Sequence, residues 1–111
     1  MSDKLIINFT PTGMIPTKKM TPNVPISVSE IVEDVHRATE AGITMVHLHA
    51  RDEVTEEPSY KKEIYSEIIS GIRKFDPFLV ICVSLSGRNF KDLEQRADAF
   101  RTTCRCLVFG R

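Results

Sequence analysis

Three short apolar runs, each followed by a segment with helical periodicity, restrict this chain more than any other feature. The runs are Leu5–Phe9, Ile43–His49 and Leu79–Val83. Each is rich in β-branched or aromatic residues and bounded by turn formers, so each reads as a strand. The last is apolar without interruption, the pattern of a strand covered on both faces. The first helix opens at Ser27-Val28-Ser29-Glu30, which matches a capping box. Val28, Ile31, Val32, Val35 and Ala38 follow on one face, and Gly42 is its expected C-cap. The second helix spans about residues 60–74, with Ile64, Ile68 and Ile72 at four-residue spacing beside Tyr65 and Ile69, and Asp76-Pro77 stops it. The third carries Phe90, Leu93, Ala97 and Phe100.

Strand alternating with helix argues for a parallel sheet with right-handed crossovers. A (β/α)8 barrel uses about 250 residues, roughly 31 per unit, so this chain has room for about three and a half units. The expected fold class is α/β: the first three to four β/α units of a (β/α)8 TIM barrel, incomplete, over residues 1–111. A doubly wound open sheet begins in the same way. The connection from Thr10 to Pro25 holds prolines at 11, 16, 22 and 25, so it is neither helix nor inner strand, and connections this long usually carry function. Residues 51–59 read as a polar loop.

Fifteen basic and fifteen acidic side chains cancel, so bulk charge attracts neither nucleic acid nor an anionic membrane. No run approaches the roughly 20 apolar residues of a membrane span. The first residues lack the basic and apolar regions of a signal peptide. Three cysteines without a secretory signal argue against a disulfide framework and for the cytoplasm, with Cys82 a buried thiol.

The chain has three histidines, and two of them fall in Val46-His47-Leu48-His49-Ala50-Arg51-Asp52. Residues two apart on a strand share a face, so His47 and His49 point together while Leu48 points away. They also sit at a strand's carboxyl end, where parallel α/β proteins place their sites. Two neutral imidazoles suit zinc or another borderline divalent ion. Two histidines satisfied by hydrogen bonds would give the same pattern. His36, among charged helix residues, reads as solvated.

The wider pattern resembles the N-terminal portion of the β-keto acid cleavage enzyme family. The likeness rests on Thr12-Gly13, on Pro25-Ile26-Ser27-Val28-Ser29-Glu30-Ile31, on Ala41-Gly42, on the histidine segment, and on Ser84-Leu85-Ser86-Gly87. It covers about residues 4–100. The resemblance implies a TIM barrel that binds Zn2+ through His47, His49 and a late-strand glutamate. It implies cleavage of a β-keto acid with acetyl-CoA as co-substrate, giving acetoacetate and a new acyl-CoA. Ser84 and Gly87 match positions that hold the substrate's oxygen atoms, although Ser and Gly also suit an ordinary turn. The implied partners are small molecules, with no nucleic acid and no membrane, and the full-length form is expected to be a homo-oligomer. Arg51 and Asp52 stay open between contact with an anionic ligand and an ion pair or cap closing the strand.

Two departures qualify the likeness. The aminohexanoate-cleaving branch places an acid two positions beyond its Thr-Gly pair to meet a substrate amine, and here Ile15 stands there. A substrate without that amine, a neutral or apolar β-keto acid, is therefore expected. The implied third metal ligand and catalytic aspartate match nothing up to residue 111, so no catalytic residue is assigned within this chain. The expectation is a shortened copy that binds metal weakly, does not turn over, and aggregates or needs a partner. Residues 101–111 form an atypical tail outside the resemblance, although Leu107-Val108-Phe109 could open a fourth strand, and Cys104-x-Cys106 lacks a second pair. Two further readings are a non-catalytic metal-binding or interaction fragment, and a metal-dependent hydrolase barrel, which usually carries its histidine pair on the first strand.

Overall fold

The computed structural model describes residues 3–85, 92–98 and 106–108. Four strands form one parallel sheet: β1 (Asn8–Phe9), β2 (Met45–Leu48), β5 (Val80–Ser84) and β6 (Cys106–Val108), in the spatial order β1-β2-β5-β6. Between β2 and β5 lie a two-stranded antiparallel hairpin, β3 (Ala50–Arg51) with β4 (Pro58–Ser59), and the helix α2 (Lys62–Arg73). Helix α1 (Val28–Ala41) precedes β2, and the short α3 (Leu93–Ala97) follows β5. Spatial order equals chain order across the four strands, with none of the reversal that defines a doubly wound sheet.

Both long helices cover the same face of the sheet and touch each other. Gly71 of α2 lies so close to Val32 of α1 that an added Cβ would fall 2.7 Å from a valine methyl. The core between helices and sheet is Ile31 and Val35 from α1, Tyr65, Ile68, Ile69 and Ile72 from α2, and Val46, Leu48, Ile81 and Val83 from the strands. The isoleucine stripe read at four-residue spacing is therefore the buried face of α2. In β2 and β5 the residues Val46, Leu48, Ile81 and Val83 face the helices, and the alternate residues face away from them.

The helix ends show where local chemistry works and where it needs help. Ser27 Oγ accepts from the Glu30 N–H at 3.2 Å, and Gly42, at φ 105°, closes α1 in a left-handed cap. The capping box is shifted by one residue. The Glu30 carboxylate accepts from the Ile26 N–H at 3.0 Å and pairs with Lys18 Nζ at 2.7 Å. The Lys18 contact, then the Ile26 N–H, hold that carboxylate below its usual range. Lys61, at the N-cap of α2, offers no side-chain cap, and the need is met by Asp98, whose Oδ2 accepts from the Lys62 N–H at 2.9 Å.

Three readings of the sequence need correction. The first strand is Asn8–Phe9 and not Leu5–Phe9, because Thr44 and Met45 already bond to the Ile7 carbonyl and β2 offers nothing to pair with Leu5 or Ile6. Those two side chains are 73% and 74% exposed. The loop at 51–59 contains the β3–β4 hairpin, held by Asp52 Oδ1 accepting from the Val54 and Thr55 N–H groups. Leu93, placed on a buried stripe, is 62% exposed, and its expected companions Phe90 and Phe100 lie outside the described residues. Leu107 and Val108 do join the sheet, paired with Val83 and Ser84.

Candidate active site

β2 alternates as its sequence requires. Val46 and Leu48 are fully buried toward the helices, and His47 and the following His49 emerge on the opposite face. The two rings stand side by side, centroids 4.8 Å apart and tilted by 41°. Ring centres of two imidazoles sharing one tetrahedral ion fall roughly 5 Å apart. Burial lowers the pKa of His47 below its usual value. Burial, then the neighbouring His47 and Arg51, push His49 down to about 4. Both rings are therefore neutral at pH 7, the state a metal ligand needs. His49 Nδ1 is buried without a hydrogen-bond partner among the described residues. The pair thus fits a divalent ion in spacing, protonation and unspent donor capacity. Among the described residues no group of three or more His, Cys, Asp and Glu side chains is arranged to hold a metal, so these two stand as an incomplete set.

Next to His47 in register lies Cys82 of β5, buried like its neighbours, and two residues on comes Ser84 at the strand's carboxyl end. Ser84 and His49 line one narrow apolar seam together with Met14, Ala50, Pro58 and Tyr65. The structure therefore brings together three of the four residues expected from sequence: His47, His49 and Ser84. Gly87 lies outside the described residues. His36 is exposed on α1, beside the Phe75 ring and 3.7 Å from the Glu40 carboxylate.

The supports of the site were not legible as such. Tyr65, a member of the α2 apolar stripe, is buried with its hydroxyl accepting from the Ala50 N–H at 3.1 Å and donating to the Ser84 carbonyl at 3.4 Å. It ties the ends of β2 and β5 together, and its burial raises its pKa. A tyrosine within an isoleucine stripe was the signal, since a buried phenol seeks a partner. Arg51 resolves into the structural alternative. It is buried, and its guanidinium donates to three backbone carbonyls: Glu56 at 2.6 Å, Gly13 at 3.1 Å and Pro16 at 2.7 Å. The proline-rich connection is fixed twice more, by Thr12 Oγ1 donating to the Pro25 carbonyl at 2.8 Å and by the Lys18 N–H donating to Glu56 Oε1 at 2.7 Å.

The family described as beta-keto acid cleavage enzyme matches residues 4–108. A 3-oxoadipate:acetyl-CoA acetyltransferase of Cupriavidus necator is 43% identical over 89 residues, covering 80% of this chain and 31% of the relative. A 3-keto-5-aminohexanoate cleavage enzyme of Fusobacterium nucleatum is 35% identical over 96 residues, 86% of this chain and 35% of the relative. The chain thus spans about a third of the length of the curated relatives it matches. A solved ternary complex of ObcA with C4-CoA adduct and oxalate shares the fold, with TM-score 0.58 at 23% identity over 68% of this chain and 20% of that one. The family match takes in the histidine pair, the serine turn and the whole proline-rich connection, and by it this chain belongs to the beta-keto acid cleavage enzymes.

Proposed function

We propose that this chain forms the metal-binding part of a zinc-dependent acyltransferase, which converts a β-keto acid and acetyl-CoA to acetoacetate and a new acyl-CoA. His47 and His49 hold the ion, and Ser84 and Gly87 hold the substrate's oxygen atoms, a hydroxyl and a backbone N–H being the donor types that such a task needs. The sequential parallel sheet with both long helices on one face supports the first three to four units of a (β/α)8 barrel. Zinc, when bound, supplies Lewis acidity to the substrate carbonyl. The chain's own part is to keep two imidazoles neutral and half-buried, and to keep Ser84 beside them through the Tyr65 bridge. Cytoplasmic placement and homo-oligomeric assembly belong to the same reading.

The observation that carries it is the pair of rings 4.8 Å apart at the carboxyl end of β2, within the stretch that matches the family. The substrate is proposed to lack an amine. Ile15 offers no charge to an ammonium group, and the Cupriavidus necator relative is named for 3-oxoadipate. That compound carries a second carboxylate, so the relative favours the missing amine and not an apolar chain. Two histidines are one ligand short of a catalytic zinc site. The 111-residue polypeptide alone is therefore proposed to hold metal weakly and to leave substrate unchanged.

Zinc content and acetyl-CoA-dependent cleavage, measured on this chain and on a full-length protein, test the reading. The full-length protein should bind about one zinc per chain and lose both metal and activity in His47→Gln or His49→Gln. Retention of zinc and turnover by the double variant would overturn the assignment. Turnover by the short chain would overturn the claim that two ligands do not suffice.

A further inference from the structure

Two consecutive carbonyls at the carboxyl end of β5 are held from two different helices. The Ser84 carbonyl accepts from the Tyr65 hydroxyl of α2 at 3.4 Å, and the Leu85 carbonyl accepts from Arg96 Nε of α3 at 2.9 Å. The two helices are themselves joined, because Asp98 Oδ2 at the end of α3 accepts from the Lys62 N–H at the opening of α2. These bonds close a circuit. It runs from Ser84 to Tyr65, along α2 to Lys62, across to Asp98, back along α3 to Arg96, and home to Leu85. Ser84 and Leu85 are buried, where a backbone carbonyl needs a donor. No residue of α3 is buried, so directional bonds and not an apolar face set how it sits against β5.

We propose that Arg96 and Asp98 are positioning residues for the β-keto acid: through the Leu85 carbonyl and the cap of α2 they fix the backbone at Ser84, and with it the direction of the serine hydroxyl. This rests on the functional reading above, in which Ser84 holds the substrate's oxygen atoms. A serine has one side-chain torsion with three staggered positions, so the backbone decides where its hydroxyl stands. Tyr65 alone fixes one carbonyl as a pivot. Arg96 fixes the next one, and two fixed neighbours remove the rotation that a single bond leaves. The circuit includes no residue of β2, so the histidine pair does not depend on it.

The test uses the full-length protein. Kd for a β-keto acid is measured by calorimetry without acetyl-CoA, and kcat and KM are measured with it. Arg96→Met and Asp98→Ala open the circuit at different points. Each should raise Kd and KM for the β-keto acid by about tenfold, short of the roughly hundredfold that a misplacement of about 1 Å costs. Zinc content, kcat and KM for acetyl-CoA should stay at the wild-type level. The double variant should do no more than the larger single one, since both break the same circuit. Arg96→Lys keeps a donor for the Leu85 carbonyl and should recover much of the loss. Should Arg96→Met fail to fold, Asp98→Ala decides. A merely structural role for α3 would lower the folded fraction, so apparent kcat and zinc content would fall together with KM unmoved. That pattern, or unchanged Kd and KM in a protein that does cleave β-keto acids, overturns this inference and spares the functional reading. A wild-type protein inactive on every β-keto acid overturns both.

Discussion

The two ends of the parallel sheet differ in how deeply their polar groups are buried. At the carboxyl end, Arg51, Thr12 and Ser84 are polar and buried, and Arg51, Thr12 and Tyr65 donate to backbone carbonyls of other segments. At the amino end, the approach to β1 and the start of β5 show apolar side chains to solvent: Leu5, Ile6, Phe78 and Val80. Directional bonds between distant segments leave little freedom, which is what a ligand-holding geometry needs. The amino end is bonded too, by Thr44 Oγ1 accepting from the Ile7 N–H, Arg73 donating to the Asp76 and Leu79 carbonyls, and Asp76 Oδ1 accepting from the Phe78 and Leu79 N–H groups. The Leu5 and Ile6 side chains are exposed, however, so a change at those two has little consequence for the rest.

The largest test of this contrast is Arg51→Met. It leaves the Glu56, Gly13 and Pro16 carbonyls without their donor in a buried setting, and should cost about 2–4 kcal/mol in denaturant unfolding of the 111-residue chain. A loss below about 0.5 kcal/mol would erase the distinction between the ends. Acid is the next probe. Folding lowers the His49 pKa from 6.5 to about 4, so its neutral ring favours the folded state fully above pH 6.5, and that advantage is lost as pH falls from 6.5 to about 4. With allowance for its solvent-facing side, the loss is on the order of 1–2 kcal/mol. A His49→Gln variant should lack that part of the slope, and an unchanged slope would show that the ring is not the group responsible. The Glu30 carboxylate, held below 4.5, contributes to acid loss only in a lower window.

Tyr65→Phe removes the bridge between Ala50 and Ser84 and keeps the packing, so a loss of about 1 kcal/mol is expected. Amide hydrogen exchange should localise the loosening to the ends of β2 and β5. The smallest effect belongs to the other end. Leu5→Lys combined with Ile6→Lys should change unfolding by less than about 0.5 kcal/mol while reducing self-association in light scattering. A cost as large as that of Tyr65→Phe would mean that the apolar end is as tightly built as the site.

Much of this was written plainly in local patterns. Period-two alternation put His47 and His49 on one face, period-four spacing put Ile68 and Ile72 in the core with Ile64 packed against it, and Ser27 and Gly42 bounded α1. Local patterns failed wherever a partner was distant in sequence. Leu5-Ile6-Ile7 looks like strand, but a strand exists only as far as its neighbour extends, and β2 begins too late to pair with it. The roles of Arg51 and Thr12 depend on how the proline-rich connection folds back, which no period records. The hairpin hid in a polar stretch because its strands are two residues each and were too short to leave an alternation.

The cap on α2 has a consequence for the order in which the molecule can be assembled. The amide of Lys62 waits for a carboxylate 36 residues downstream. On a chain emerging from the ribosome, that amide has only water to bond to until Asp98 has been made. Tyr65 sits one turn beyond it, so a stretch of chain that does not line the seam beside the histidines lends its support to the helix that does.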